Sequence, residues 1–445
     1  MIKKLTMLVC ASFFATTVLA TSVYKAPENP ASNTEIKLEG FFNFQAGYGK
    51  QTNMGNSKRY PLSQNLTNYK KNVAFYTEAA FLVTFKQSFD EMIAGAQLTL
   101  VPTTKPKTST SWNGSNIFLE TNYGKVEIGS PYDANAKMRL TGCAIIAAST
   151  SWNSFVILQN VNMKYLGVNP EFDTSTRFYM ESFSNSLNDM TDGTEAARKV
   201  SYYTPKMQGF QFGISYTPDS SNTGGNRKLK NLDALGLSKS NSGVNTVLLP
   251  NDLGTPELGS VVVINQNVVN AFSGGLTYEK QISDDLAVKF ALTGEYGKAA
   301  TPLVFLTPDK KNIISQDKLT NLKAYNIGGM LTYGNLSCAA SYGSLGNSLT
   351  SPVYYKVGRH TEFYNGAIAY GQGPIKTSIS YFKSLRYKNT IDAVSLGTEY
   401  KVISGLVPYA EVSYFQAKGK PVYYPEAPNK KTRGTVFLLG TKLKF

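Results

Sequence analysis

Short segments in which side chains alternate between two faces recur along this chain, and the links joining them alternate between tight and long. In residues 74–86, Phe75, Thr77, Ala79, Phe81, Val83 and Phe85 fall on one face, while Tyr76, Glu78, Ala80, Thr84 and Lys86 take most of the other. A period of two is the mark of a β-strand whose faces meet different media. The pattern returns in 286–295 (Leu286, Val288, Phe290 and Leu292 against Lys289, Thr293 and Glu295) and in 435–445 (Phe437, Leu439, Leu443 and Phe445 against Lys442 and Lys444). It predicts sixteen strands, near 36–48, 74–86, 92–101, 115–121, 125–130, 196–204, 210–217, 270–280, 286–298, 323–333, 335–343, 362–370, 374–384, 390–401, 406–418 and 433–445. Every second link is tight (87–91, 122–124, 205–209, 281–285, 334, 371–373, 402–405), whereas 49–73, 131–195, 218–269 and 299–322 are long.

The first twenty residues read as an export leader. Lys3 and Lys4 precede an apolar run from Leu5 to Leu19, and Val18 and Ala20 supply the small residues of a cleavage site after Ala20. The expected division is therefore 1–20 signal peptide and 21–445 a single domain. Beyond the leader no stretch approaches the ~18 consecutive apolar residues of a membrane helix, so a mature chain that enters a bilayer must do so as a closed barrel. Short turns on one rim and long loops on the other are the habit of outer-membrane barrels. A secreted β-sandwich is the competing fold. It leaves unexplained the loop asymmetry and the aromatics near strand ends, Tyr48, Tyr216, Tyr342, Tyr381 and Tyr414, which suit an interfacial girdle. The expected fold is all-β, a 16-stranded antiparallel transmembrane β-barrel with short periplasmic turns and long external loops.

Sixteen strands enclose more space than side chains fill, and the faces expected to point inward carry Lys37, Glu39, Glu78, Glu127, Lys289, Glu295, Glu411, Lys442 and Lys444. Charges there predict a wet lumen, since a Lys or Arg facing lipid at the midplane costs ~2–4 kcal/mol. The net charge of +15, or +13 without Lys3 and Lys4, is dispersed in short pairs such as Lys70-Lys71 and Lys310-Lys311. That argues against nucleic-acid binding, which clusters basic residues on one face. His360 is the only histidine and has no G-x-S-x-G turn beside it, and Cys143 and Cys338 offer no ligand spacing. Neither an enzyme, a metal nor a cofactor is expected. Release of fatty acids by purified protein would reveal a lipid-hydrolysing barrel instead. The glycines of GGLTYEK and LGTEYKV read as strand punctuation permitting close packing.

NIFLETNYGKVEIGSPYD (116–133) and RKVSYYTPKMQGFQFGISYTP (198–218), with a last strand ending in Phe445, resemble the general porins of Gram-negative outer membranes. The resemblance implies an inward-folded third loop after the fifth strand, a homotrimer with one pore per subunit, and passage of small hydrophilic solutes. It also implies residence among outer-membrane lipid and lipopolysaccharide, and delivery by the barrel assembly machinery with Phe445 as assembly signal. It carries a constriction role onto Asp133, with Ser130, Lys137, Arg139 and Arg198 as further candidates. Ser130 stands where the family often has a basic residue, and the loop lacks an acidic, glycine-rich tip. A surface antigen or adhesin with a closed or plugged lumen is the alternative, and conductance separates the two.

Overall fold

The computed structural model describes residues 22–25, 34–51, 73–89, 91–101, 111–148, 197–220, 245–248, 261–264, 268–299, 302–306, 313–318, 320–349, 361–386, 389–419 and 430–445. Sixteen strands form the wall: β1 Thr34–Gln51, β2 Val73–Phe89, β3 Met92–Val101, β4 Ser111–Thr121, β5 Gly124–Gly129, β6 Lys199–Tyr203, β7 Phe210–Asp219 and β8 Val268–Gln281, then β9 Leu286–Ala299, β10 Leu322–Tyr333, β11 Leu336–Gly346, β12 Thr361–Gln372, β13 Ile375–Arg386, β14 Asn389–Tyr400, β15 Leu406–Gly419 and β16 Lys430–Lys444. Each pairs antiparallel with the next, and β16 closes on β1 with Lys442 opposite Asn43. All sixteen expected strands are present. Closure matters because an open edge would leave unpaired N–H and C=O groups in hydrocarbon. Among the described residues no helix is long and apolar enough to cross a membrane.

Alternation fixes which side chains meet lipid. On β16, Leu439 is 65% exposed and its neighbour Leu438 only 2%, so one face looks out and the other in. Phe42, Phe44, Phe290 and Leu292 share the outer face with Tyr48, Tyr216, Tyr381 and Tyr414. At the closing seam the backbones of Gly40 and Phe445 exchange hydrogen bonds of 2.9 and 3.2 Å, and the Phe445 ring lies 6.2 Å from Phe42 and 5.9 Å from Phe81. Gly40 leaves room for that ring, because a Cβ there would stand 2.9 Å from it. Tight links are made by glycines in the left-handed region, such as Gly334 and Gly373.

Two features depart from the sequence-based expectation. The inner face is not hydrophilic throughout: Leu345, Phe363, Phe382 and Phe415, near the long-loop ends of β11, β12, β13 and β15, are buried in one apolar cluster with Val436. The links after β7 and β9 also hold strands of their own. Asn245–Leu248, Val261–Ile264, Pro302–Leu306 and Ile313–Lys318 form a separate four-stranded antiparallel sheet. Their β-branched runs, VVVI above all, carried that signal. The leader lies outside the described residues; the first described segment, Ser22–Lys25, pairs with β1 from Leu38 to Glu35.

Candidate functional site on the inner wall

After β5 the chain runs along the inside of the barrel. Asp133 caps the short helix α1, Ala134–Met138, by accepting from the Ala136 N–H at 2.8 Å, and a 3-10 turn follows at Gly142–Ile145. From one end of this segment to the other, wall side chains hold its backbone. The Ala134 N–H donates to Ser215 Oγ on β7 (2.9 Å), Gly142 to Asn365 Oδ1 on β12 (2.6 Å), Ala147 to Ser378 Oγ on β13 (2.7 Å) and Ala148 to Glu399 Oε2 on β14 (3.2 Å). Lys442 of β16 donates to the Ala148 carbonyl. These partners alternate with the exposed residues Tyr216, Tyr364, Ile379 and Leu443, so they belong to the inner face. Ala148 has φ of 67°, a conformation that a non-glycine residue keeps only where its surroundings hold it. The Glu399 and Lys442 bonds supply that hold, and Ile145 and Ile146 join the apolar cluster of Phe363 and Phe382.

Lys199 secures the near end of the segment. It is 3% exposed and its ammonium donates to the carbonyls of Pro131 (2.8 Å) and Ala197. A buried ammonium needs such acceptors, because an unpaired one costs several kcal/mol.

Two groups of charge on the inner face lie beside the segment. Glu127, 1% exposed, lies between Lys125 at 2.9 Å and Lys137, whose ammoniums sit over the rings of Phe118 and Tyr203 at 4.5 and 5.3 Å. Burial pulls the Lys137 ammonium below the usual lysine range, and the Glu127 carboxylate acts in the opposite sense. The second group joins the last strands: Lys376 faces Glu399 in register, Lys442 lies 3.8 Å from Glu399 and over the Tyr409 ring, and Glu411 accepts from Ser413.

Of the expected lumen residues, Lys37 and Glu39 pair at 2.7 Å, and Lys289 pairs with Glu279 at 2.5 Å. Glu127, Glu295, Glu411 and Lys442 are buried on the inner face, and Lys444 follows Lys442 on the same side. Glu78 occupies the register position opposite Asn43, and its side chain lies outside the described ones. Two of the constriction candidates lie apart from the others. Arg198 is exposed in the bend just before β6, while Lys199, the first residue of that strand, is buried. Asp133 is 0% exposed, because capping a helix packed against the wall takes its carboxylate out of the lumen. Lys137 keeps 29% of its side chain exposed, Ser130 continues the β-ladder through a 2.8 Å bond to Ser115, and Arg139 closes α1 with its N–H on the Asn135 carbonyl at 3.1 Å. His360 lies outside the described residues, among which no group of three or more His, Cys, Asp or Glu could hold a metal.

Sequence reasoning passed over Lys199, Asn365, Ser378 and Glu399. Only Lys199 carried a readable signal, since the outward Val200 and Tyr202 fix the parity of β6.

Known proteins are similar to this chain in sequence or in fold. An uncharacterized protein of Rickettsia felis is 54% identical over 444 residues, covering 97% of this chain and 98% of its own. One of Rickettsia prowazekii is 52% identical over 452 residues, covering all of both. Among solved structures, the anion-selective porin from Comamonas acidovorans superposes with a TM-score of 0.51 at 11% identity, over 93% of this chain and 100% of that one. A mutant of the Rh. blastica porin gives 0.50 at 13%, over 92% and 100%. At such identities these likenesses speak for the fold alone. The profile of the Gram-negative porins matches residues 5–420, and with the closed barrel and the segment along its inner wall the chain belongs to that family, as a porin-like outer-membrane channel protein.

Proposed function

We propose that the protein is a passive channel through which small hydrophilic solutes and ions diffuse, narrowed by residues 131–148. One observation carries this reading: that segment is bonded to inward side chains of β7, β12, β13, β14 and β16. Folded inward, it brings its own backbone and Lys137 into a lumen that a sixteen-strand wall alone would leave too wide to sieve small solutes. The Lys125–Glu127–Lys137 group carries one positive charge in excess and Lys376, Lys442 and Lys444 outnumber Glu399 and Glu411, so a modest preference for anions is expected.

The same reading includes a leader removed after Ala20, a homotrimer in lipid and lipopolysaccharide, insertion by the barrel assembly machinery, and no enzymatic activity. Purified protein in planar bilayers tests it. Stepwise ohmic insertions support the channel, and a larger step is expected when residues 134–148 are replaced by a short Gly-Ser link. A silent bilayer would favour a display barrel with a closed lumen, and an unchanged step in the shortened protein would remove the segment from the narrowest part.

A further inference from the structure

The inner wall beneath residues 138–148 is lined by small residues. Gly213 and Gly275 are register partners on β7 and β8; Ala291 pairs with Gly328, Gly328 with Ser341, and Ser378 with Gly397. At the glycines the segment fills the space that a side chain would occupy. A Cβ on Gly275 would stand 2.8 Å from Met138 Cβ, one on Gly328 2.0 Å from the Leu140 carbonyl oxygen, and one on Gly397 2.9 Å from the Ala147 oxygen and 3.0 Å from Ala148 Cβ. Ordinary contact begins near 3.4 Å. Two of these are the glycines of the GGLTYEK and LGTEYKV motifs. The hydrogen bonds at Ser215, Asn365 and Ser378 lie along the same path.

We infer that Gly275, Gly328 and Gly397 are positioning residues that set the calibre of the pore. They let residues 138–148 sink into the wall, so the segment occupies less of the lumen than it would on a wall of ordinary side chains. The inference rests on the channel reading above and adds a direction to it. Packed interiors do not absorb an extra methyl without a shift, and the wall behind the segment leaves it only the lumen to move into. A Cβ on Gly328 must drive the Leu140 carbonyl inward by roughly 1 to 1.5 Å to recover ordinary contact.

Gly328→Ala, with Gly397→Ala as the milder change, tests this in planar bilayers. The controls are the outward-facing neighbours Gly329→Ala and Gly274→Ala, where a Cβ would meet nothing nearer than 3.9 and 3.4 Å. Single-channel conductance should fall roughly 1.2- to 2-fold in the inner-face variants, since flow scales with the open cross-section of a narrow pore. The outer-face controls should match the wild type. In a protein lacking residues 134–148 the same inner-face substitutions should leave conductance unchanged, because nothing remains to be displaced. If Gly328→Ala does not assemble, Gly397→Ala decides. Wild-type conductance in the inner-face variants, or a fall that persists without the segment, overturns the inference while the channel reading stands. A wild-type protein that does not conduct removes both.

Discussion

Replacing Glu127 by Gln isolates the electrostatics of the segment from its packing, because the side chains are nearly isosteric. Glu127 is 1% exposed and holds both Lys125, at 2.9 Å, and Lys137, while each lysine side chain is 28–29% exposed. Two unit charges at ~4 Å attract by ~4 kcal/mol at an effective dielectric of ~20, and removing one partner of a buried pair costs ~3–5 kcal/mol. Water can reach both ammoniums, so a loss of about 2–3 kcal/mol is expected for Glu127→Gln. The group rises from one net positive charge to two, and Lys137, freed of its anchor, turns further into the lumen. Lys137→Met does the reverse: Glu127 and Lys125 remain as a neutral pair. Zero-current potentials across a planar bilayer under a salt gradient should therefore move toward anions for Glu127→Gln and toward cations for Lys137→Met. Low salt is needed, since at 0.1 M charges are screened over ~10 Å. Shifts of the same sign in both variants, or none in either, would refute the placement of this group beside the ion path.

Leu439→Arg puts a charge on the lipid face at a residue 65% exposed and should lower barrel stability in lipid-vesicle refolding by up to ~2–4 kcal/mol, whereas Leu439→Phe should be near neutral. Asp133→Ala removes a helix cap and should cost ~1 kcal/mol, while Asp133→Asn, which preserves the cap, should leave conductance near the wild-type value. Deleting Phe445 takes its ring from Phe42 and Phe81 and its backbone bonds from Gly40; the yield of heat-modifiable barrel on gels should fall while export continues.

The outer face was readable because Phe42, Phe44, Phe290 and Leu292 alternate with polar or small partners, and lipid tolerates little else. Near the long-loop ends that signal fails for a physical reason. Phe363, Phe382 and Phe415 point inward beside the outward Tyr364, Tyr381 and Tyr414, so both faces are aromatic and periodicity cannot say which is wet. The charged candidates divide in the same way. Glu127 and Lys442 are readable as inner-face positions because the exposed Ile128 and Leu443 beside them fix the parity of β5 and β16. Of the adjacent pair Arg198 and Lys199 it is Lys199 that turns inward, a parity that the outward Val200 and Tyr202 mark in the sequence. Asp133 reads as a lumen acid from its place after the fifth strand, and only the packing of α1 against the wall shows that its carboxylate is spent on a backbone N–H. Asn365, Ser378 and Glu399 lie more than 200 residues from the backbone groups they bind, a separation that no local pattern spans.

That separation also orders events in time. The far end of the inner-wall segment is fastened by Ser378, Glu399 and Lys442, which leave the ribosome long after residues 131–148, and Lys442 is on the strand that closes the barrel against β1. The Lys442 bond therefore waits for the last strand of the wall to be in place. Strand order along the chain thus makes the far fastening of the inner-wall segment one of the last contacts the fold can complete.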